Sequence, residues 1–368
     1  MIILHVITGL NDGGAEGALY RLCKNDKENS HIVVSLLSGG KYEHKFKLIN
    51  ILTYSLKLNT TYGSLTCLYN FKKILNEIKP NVIQTWLYHA DLFGGICAFI
   101  FGYRNIYWNI RNCNTSKKAL KTTTRIVVYI NSLLSHFIPK HIVSVSQNAS
   151  IHHIKIGYQK DKFINIPNGY EFIESVMNLD YLDSLKNKSS FLIGMVARYD
   201  PQKDHSNLLK SLVILKEKKI VFHCLLVGTG MDNSNSYLVN EINTLKLNNY
   251  ITLLGRRDDI NNIMRILDIH VLSSLGEAFP NVLVEAMSNE TLCVSTDVGD
   301  ASYIIGDFGW IVKPECPKNL ANAILEANNI FVNNRNDWKK LCFLAKDYVI
   351  TRFSIEKMIN NYTKIWNG

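Results

Sequence analysis

Several common sequence patterns are missing from this chain, and each absence excludes a class of protein. The eight cysteines are scattered singly with no Cys-x-x-Cys pair, which suits a reducing compartment and argues against a zinc site. The longest uncharged apolar runs have 12 and 14 residues, fewer than the roughly 20 that a membrane-spanning helix needs. The N-terminus has no basic leader and no small-residue cleavage site, so we predict a first strand there and not a signal peptide.

Motifs for metal-dependent and nucleophilic chemistry are also missing. No Asp-x-Asp pair occurs, and there is no Walker A loop, H-E-x-x-H or G-x-S-x-G motif. Metal-dependent chemistry and serine hydrolysis therefore have no support, and we expect neither a metal nor a cofactor. Nucleic-acid binding is disfavoured because the sequence shows no recognised module and no interleaving of basic with aromatic residues.

The composition is that of a globular protein long enough for two domains. Of the 368 residues, 47% are hydrophobic and 20% are charged. The net charge of +10 is unevenly spread, because residues 1–170 carry a net +12 and residues 171–368 a net −2. The first half is therefore expected to face an anionic partner, such as a membrane surface, a phosphorylated substrate or nucleic acid, unless the excess reflects only solubility and compositional drift.

Short apolar runs alternate with longer amphipathic runs, which predicts βαβ units and parallel sheets. In the first half we predict strands at residues 2–7, 31–37, 51–56, 81–86, 106–110, 142–145 and 163–166, with helices that include residues 64–78 and 118–137. The second half repeats the alternation, with strands at residues 191–196, 221–227, 250–254, 268–272, 291–295 and 309–312. We predict two similar α/β domains over residues 1–170 and 190–350, a linker over 171–189, and a final amphipathic helix within 351–368.

The segment from residue 273 to residue 290 leads from a predicted strand through a loop into a predicted helix. A helix that begins at the carboxyl end of a parallel strand directs unpaired N–H groups and a partial positive charge into the crevice, which favours a phosphate. Glu277 in the loop can accept hydrogen bonds from hydroxyls of a polyol, and Glu285 inside the helix can hold a second pair, such as those of a ribose. By spacing alone, the pattern also fits a solvated loop with two ordinary glutamates.

Other candidate residues follow strands of the first half. Gly13 and Gly14 precede the first predicted helix, where their backbone can approach a ligand closely or simply form a tight turn. His89 and Arg111 follow two further strands, at the ends where open α/β sheets place their ligands. A structural histidine and a solvated arginine are the alternatives.

Two cations follow the first strand of the second half. Arg198 offers a planar fork of donors and Lys203 a point charge, so together they can orient a phosphate leaving group and stabilise its charge. Read alone, they also fit two unrelated surface cations.

Taken together, these motifs resemble the retaining GT-B glycosyltransferases of family 4, which build bacterial capsule, O-antigen and lipopolysaccharide glycans. The resemblance implies an α/β GT-B fold with two Rossmann-like domains whose parallel sheets face each other across a cleft, and a C-terminal helix that crosses back to the N-terminal domain. It covers nearly the whole chain and rests on Gly13-Gly14-Ala15-Glu16, Trp86-Leu87-Tyr88-His89-Ala90-Asp91, Ile110-Arg111-Asn112, Ser144-Val145-Ser146, Ile166-Pro167-Asn168-Gly169, Arg198 with Lys203, residues 255–260, and the E-x7-E motif from Glu277 to Glu285.

The resemblance also implies roles for single residues. Glu277 would contact hydroxyls of the transferred sugar, while Arg198 and Lys203 would stabilise the charge that grows on the diphosphate. His89 matches a histidine near the reacting carbon. Further implied contacts are to the donor from Gly13, Gly14, Phe279, Asn281, Val282, Glu285 and Arg257, and to the acceptor from Arg111 and Glu16. Pro280 stands where many members have glycine, so no backbone N–H is available at that position and the contacts to the donor sugar can differ.

The implied activity is retaining, metal-independent transfer of a hexose or N-acetylhexosamine from a nucleotide sugar, with UDP as the expected nucleotide. The implied acceptor is a growing, polyprenyl-diphosphate-linked surface glycan, handled in the cytoplasm or at the inner face of the cytoplasmic membrane. The basic first half would bind this acceptor. Residues 117–137, in which Lys117, Lys118, Lys121 and Arg125 precede an apolar run, are either a peripheral contact with an anionic membrane or a plain packed helix.

Two other functions stay open at the level of sequence. A nucleotide-sugar epimerase or hydrolase of the same fold would convert the donor without an acceptor. A non-enzymatic glycan-binding protein would bind without converting it.

Overall fold

The computed structural model describes residues 1–58, 64–113, 115, 120–172 and 191–368, which form two compact α/β units. One unit comprises Met1–Glu171 together with Phe353–Gly368, and the other comprises Phe172–Arg352. Most of the linker predicted over residues 171–189 lies outside the described residues. All thirteen predicted strands are present, with ends that agree with the predictions to within two residues, so the predicted pair of parallel α/β sheets is confirmed.

The N-terminal unit is built on a parallel sheet of seven strands in the order β3-β2-β1-β4-β5-β6-β7. Its strands are β1 (Ile2–Ile7), β2 (Ser30–Ser35), β3 (Leu52–Ser55), β4 (Val82–Trp86), β5 (Ile106–Ile110), β6 (His141–Ser144) and β7 (Phe163–Asn165). Its helices are α1 (Gly14–Asn25), α2 (Lys41–Leu48), α3 (Ser64–Ile78), α4 (Tyr88–Ile100), α5 (Thr122–Leu134) and α6 (Gln147–Lys155), with a 3-10 turn at Lys160–Lys162.

Helices cover both faces of this sheet, which is why its central strands β1, β4 and β5 are almost wholly buried. Successive residues of β1 point to opposite faces, so Ile3 and Ile7 belong to one buried cluster and Leu4 and Val6 to another. The first cluster includes residues of α1 and α2, and the second includes residues of α3, α4 and α5.

Helix α5 is shorter than the helix predicted over residues 118–137. The chain turns after Leu134, where the N–H groups of both Phe137 and Ile138 donate to its carbonyl oxygen, and Pro139 follows, which cannot continue a helix. The predicted start at residue 118 lies outside the described residues. In the part of the chain that the structure describes, no helix combines the length and the apolar character required to cross a membrane.

The C-terminal unit is built on a parallel sheet of six strands in the order β10-β9-β8-β11-β12-β13. Its strands are β8 (Leu192–Val196), β9 (His223–Val227), β10 (Ile251–Gly255), β11 (Ile269–Leu272), β12 (Leu292–Thr296) and β13 (Gly309–Val312). Its helices are α7 (His205–Glu217), α8 (Ser236–Thr244), α9 (Ile260–Ile266), α10 (Asn281–Ser288), α11 (Ala301–Ile305), α12 (Pro317–Asn333) and α13 (Arg335–Phe353), with a 3-10 turn at Pro201–Lys203.

The final helix, α14 (Ile355–Asn367), packs against α1 in the N-terminal unit. Ser354 caps it by accepting a hydrogen bond from the N–H of Lys357, as a serine at this position is expected to do. Its inner face is strongly apolar but carries two polar anchors: Tyr362 Oη accepts from Asn109 Nδ2 at 2.7 Å, and Trp366 Nε1 donates to Gln84 Oε1 at 3.2 Å. These two bonds fix the position of α14 over β4 and β5, on one face of the sheet.

Candidate functional site

In both sheets the strand order reverses between two central strands, and all the candidate residues except Arg111 and Arg257 follow those strands. In the C-terminal unit the reversal lies between β8 and β11; Arg198 and Lys203 follow the first and Glu277 follows the second. In the N-terminal unit it lies between β1 and β4, which precede Gly13 and His89. A crevice outside the carboxyl ends of the strands at such a reversal is where open α/β sheets bind ligands.

In the C-terminal unit, hydrogen bonds join the two loops at the reversal. Ser273 Oγ lies 2.9 Å from the carbonyl oxygens of both Lys203 and Asp204. The N–H of Leu275 donates to the carbonyl oxygen of Gln202 at 2.8 Å. The turn that carries Lys203 is thereby held against the loop that leads from β11 to Glu277, although the two are far apart in sequence.

The result is an ion pair between Lys203 and Glu277. Lys203 Nζ lies 2.5 Å from Glu277 Oε1, and Ser274 Oγ donates to the same oxygen at 2.8 Å. The two charged side chains are only 20% and 15% exposed, so solvent screens their interaction less than it screens a surface pair. A cation and an acceptor for hydroxyl groups are thus fixed side by side.

The start of α10 lies just beyond Glu277. Phe279 and Pro280 are buried, and Pro280 is the N-cap residue, which offers no side-chain hydrogen bond to the first turn. Asn281 and Val282 are half-buried in that turn, where backbone N–H groups and the helix dipole favour an anion. Glu285, also half-buried, lies about one turn further along the helix.

The two predicted arginines of this unit pair with nearby aspartates. Arg198 is 63% exposed, and its Nε donates to Asp200 Oδ2 at 3.1 Å. Arg257 donates to both carboxylate oxygens of Asp259, at 2.8 and 2.7 Å, and these bonds lower the pKa of Asp259. The structure therefore brings Lys203 and Glu277 together but holds Arg198 and Arg257 in separate local pairs.

In the N-terminal unit, the predicted glycines begin α1. Gly13 is the N-cap residue, Gly14 is exposed at the first helical position, and the Glu16 side chain folds back to cover Gly13. Burial raises the pKa of Glu16. His89 is the second residue of α4 and is half-buried, and burial lowers its pKa, which favours the neutral imidazole at neutral pH.

Arg111 is not a solvated arginine. Its guanidinium lies 4.6 Å from the centre of the Trp86 ring, donates to Tyr362 Oη at 2.9 Å and also donates to Asn168 Oδ1. Burial lowers the pKa of Arg111. The side chain connects β5 to the final helix, and its predicted role in acceptor binding stays a prediction.

A group of three potential metal ligands lies elsewhere in the N-terminal unit. Side-chain atoms of His5, Cys23 and His31 all lie within 4.8 Å of one another, and all three residues are buried. His5 Nε2 is hydrogen-bonded to His31 Nδ1 at 2.9 Å, and Trp86 Nε1 donates to His5 Nδ1 at 3.1 Å. Because hydrogen bonds engage both nitrogens of His5, the group fits a buried polar network better than a metal site.

The sequence interpretation overlooked Ser273 and Ser274, which hold Lys203 and Glu277 in place. It also overlooked His270, a fully buried residue of β11 whose Nε2 accepts from the N–H of Val196 in β8. Two serines directly after an apolar strand were a usable signal, because small hydroxyl side chains at a strand end commonly bond the backbone of neighbouring loops.

Gly299 allows another loop to approach the backbone of Glu277. Its φ is +54°, and a Cβ atom there would lie 2.5 Å from the carbonyl oxygen of Glu277 and 2.8 Å from its carbonyl carbon. Because these are backbone atoms, they cannot rotate away. We expect Gly299→Ala to lower the free energy of unfolding by about 3 kcal/mol, measured by denaturant titration.

Gly255→Ala is the matched control for this change. Gly255 lies in the same unit with a φ of +64°, but a Cβ there would meet only Asp232 Cβ, at an ordinary 3.7 Å. It should therefore lose about 1 kcal/mol through backbone strain alone. If both variants lose the same free energy of unfolding, the close approach of Gly299 to the backbone of Glu277 does not contribute to stability.

The chain is similar to known proteins in sequence and in fold. Residues 182–340 match the family described as Glycosyl transferases group 1. The chain is 22% identical over 324 residues to the capsular polysaccharide biosynthesis glycosyltransferase CapM of Staphylococcus aureus, covering 83% of each chain. It is also 22% identical over 312 residues to an Escherichia coli UDP-Gal:alpha-D-GlcNAc-diphosphoundecaprenol alpha-1,3-galactosyltransferase, covering 82% of this chain and 78% of that enzyme.

Among solved structures, the chain is similar to Anabaena HepE. The complex of HepE with UDP superposes with a TM-score of 0.85 at 20% identity, covering 99% of both chains. The complex with UDP-glucose gives a TM-score of 0.82, covering 99% of this chain and 98% of HepE. The C-terminal unit therefore contains a Glycosyl transferases group 1 domain, and the chain as a whole has the fold of the GT-B glycosyltransferases.

Proposed function

We propose that the chain is a retaining, metal-independent glycosyltransferase that moves a hexose or N-acetylhexosamine from a UDP sugar to a polyprenyl-diphosphate-linked glycan at the inner face of the cytoplasmic membrane. The observation that carries the proposal is the Lys203–Glu277 pair beside the start of α10, at the strand reversal of the C-terminal unit. The family match over residues 182–340 includes all of these residues.

In this proposal the C-terminal unit binds the donor. The ammonium of Lys203 and the first N–H groups of α10 face the diphosphate, and Glu277 accepts hydrogen bonds from sugar hydroxyls. As the bond between the anomeric carbon and the diphosphate oxygen breaks, negative charge grows on that oxygen, and a fixed cation with oriented N–H groups stabilises it. Glu285, about one turn into the helix, is placed to hold the ribose hydroxyls.

The proposed step needs no protein nucleophile. The acceptor hydroxyl oxygen bonds to the anomeric carbon on the face that the diphosphate leaves, and its proton passes to the departing diphosphate. Because a lysine and a helix terminus already neutralise the leaving group, a metal ion is not required for the electrostatics. The names of two similar proteins support the donor and acceptor classes: HepE was crystallised with UDP-glucose, and the Escherichia coli relative acts on a diphosphoundecaprenol-linked sugar.

A thermal-shift screen of nucleotide sugars in the presence of EDTA tests this proposal. A UDP sugar at about a hundred times its dissociation constant should stabilise the native state by about 2.7 kcal/mol. We expect UDP and at least one of UDP-glucose, UDP-galactose and UDP-N-acetylglucosamine to raise the melting temperature, with a weaker shift in Lys203→Gln.

Three results would contradict the proposal. A protein that no UDP sugar stabilises would not have the proposed donor site. A shift that disappears in EDTA and returns with Mg²⁺ would contradict metal independence. Release of free sugar or an epimer as the main product, from the donor alone, would identify a hydrolase or epimerase instead.

A further inference from the structure

Helix α5 packs Val127, Val128 and Leu134 on the core, but it also exposes a row of large apolar side chains and buries two polar ones, which an ordinary surface helix does not do. Its inner face includes Asn131 and Ser132, both buried, beside Val128. Its outer face carries a row of large apolar side chains at helical spacing that continues into the following turn: Ile126 (54% exposed), Tyr129 (65%), Ile130 (37%), Leu133 (54%) and Phe137 (75%). We call these five residues the α5 apolar row.

Hydrogen bonds fix this orientation. Asn131 Nδ2 donates to the carbonyl oxygen of Tyr88 at 2.9 Å, which connects the inner face of α5 to α4. After the helix, Ser135 Oγ accepts from the N–H of Gln159 at 3.0 Å. Turning the apolar row inward would break these bonds and leave buried polar groups without partners, so the exposed row is a stable property of the unit.

The apolar row lies in a long part of the chain with no acidic residue. Residues 92–160 contain nine Lys and Arg and no Asp or Glu. Lys121 is exposed just before α5, and Arg125 is half-buried in its first turn. An apolar row next to positive charge matches the chemistry of an anionic bilayer, whose headgroups attract cations and whose interior accepts apolar side chains.

We propose that the α5 apolar row, with Lys121 and Arg125, is the surface through which this chain binds an anionic lipid bilayer. The inference deepens the proposed function and rests on it in one respect, since a lipid-linked acceptor would be met at that bilayer. A second copy of the chain is a poorer occupant, because pairing two such faces would bring two acid-free, basic segments together.

Co-sedimentation of the full chain with vesicles tests this surface. Vesicles of phosphatidylcholine with phosphatidylglycerol should bind the chain, pure phosphatidylcholine should bind it much less, and raising the salt to about 0.5 M should weaken the binding. We expect Leu133→Ser to lower the affinity roughly tenfold and Arg125→Gln to lower it about fivefold.

Leu48→Ser is the matched control for Leu133→Ser. Leu48 is 68% exposed at the end of α2, whose residues pack on the opposite face of the same sheet, and it should keep wild-type binding. Equal losses in the two variants, or no binding to anionic vesicles, would overturn the proposal. So would a dimer in sedimentation velocity that Leu133→Ser dissociates. Donor binding, measured without vesicles, separates failure of this surface from failure of the proposed function.

Discussion

Replacing Glu277 by glutamine is expected to lower the rate of sugar transfer by about a hundredfold or more while the protein stays folded. The substitution keeps the size of the side chain but removes the charge that holds Lys203 Nζ at 2.5 Å and accepts from Ser274. Charge-assisted hydrogen bonds at a reacting centre typically contribute about two to three powers of ten in rate. The cost in stability should be about 2 to 3 kcal/mol, because the pair is mostly buried and the substitution leaves Lys203 without its counter-charge.

The measurement is donor turnover in the presence of acceptor, together with a thermal melt. Glu290→Gln is the matched control, because Glu290 also pairs with a lysine, Lys346, at 2.8 Å but lies at the exposed end of the loop after α10. It should keep the wild-type rate. If Glu277→Gln remains within a few-fold of wild type, Glu277 does not act on the donor.

A double-mutant cycle extends this test to the ion pair. Lys203→Met and Glu277→Gln each remove one partner, and the double variant removes both. If the two side chains act as a unit in sugar transfer, the double variant should be hardly slower than the worse single variant. Independent, multiplying losses would mean that the pair observed in the structure is only a neighbouring contact.

The sequence was sufficient to predict the two sheets but not the central contact of the site. Strand positions follow from local patterns, since apolar runs bounded by turns are visible within a few residues. The Lys203–Glu277 contact depends on Ser273 joining two loops that lie about 70 residues apart in the chain. Nothing local encodes such a contact, and only the resemblance to a family placed both residues in one site.

The contacts of Arg111 also could not be predicted from the local sequence. Its predicted position at the end of β5 was correct, but one of its partners, Tyr362, comes from the last helix of the chain. Two other arginines have partners that could have been predicted from the sequence. Arg198 pairs with Asp200 and Arg257 with Asp259, and the two members of each pair are only two positions apart in the chain. The predicted roles of Arg198, Arg257, His89 and Gly14 in donor binding stay predictions.

The sequence also did not predict which face of α5 is buried. A periodic pattern shows that a helix has two faces, and apolar residues are normally assumed to face inward. Here Asn131 and Ser132 face inward because the unit supplies hydrogen-bond partners for that face. Which face is buried depends on those tertiary partners, which a hydrophobic pattern does not contain.

Lowering the pH from 7 to 5.5 is expected to destabilise the protein strongly. Burial lowers the pKa of four histidines: to about 4 for His153 and His205, to about 3 for His270, and well below 6.5 for His5. All four are nearly inaccessible to solvent. In the native state they stay neutral at pH 5.5, whereas in the unfolded chain each takes up a proton near pH 6.5.

The sign follows from proton linkage. Below pH 7 the unfolded state binds more protons at these positions than the native state, so the free energy of unfolding falls by about 1.2 kcal/mol for each such histidine between pH 7 and 5.5. Asp91 opposes this trend, because burial raises its pKa to about 8 and the native state therefore holds a proton that the unfolded chain releases. Four histidines against one aspartate leave a net loss of about 3 kcal/mol between pH 7 and 5.5, a large part of the stability of an ordinary protein.

Calorimetric melts between pH 7.5 and 5.5 measure this loss, and His270→Gln tests its origin. That variant removes one buried imidazole, so its free energy of unfolding should fall by about 1.4 kcal/mol less than that of the wild type between pH 7.5 and 5.5, even if it is less stable at pH 7. His136→Gln makes the same substitution at an exposed position and is the matched control. A free energy of unfolding that stays constant down to pH 5.5 would mean that the buried histidines are protonated in the native state. In that case the N–H of Val196 could not donate a hydrogen bond to His270 Nε2, because a protonated imidazole has no acceptor nitrogen.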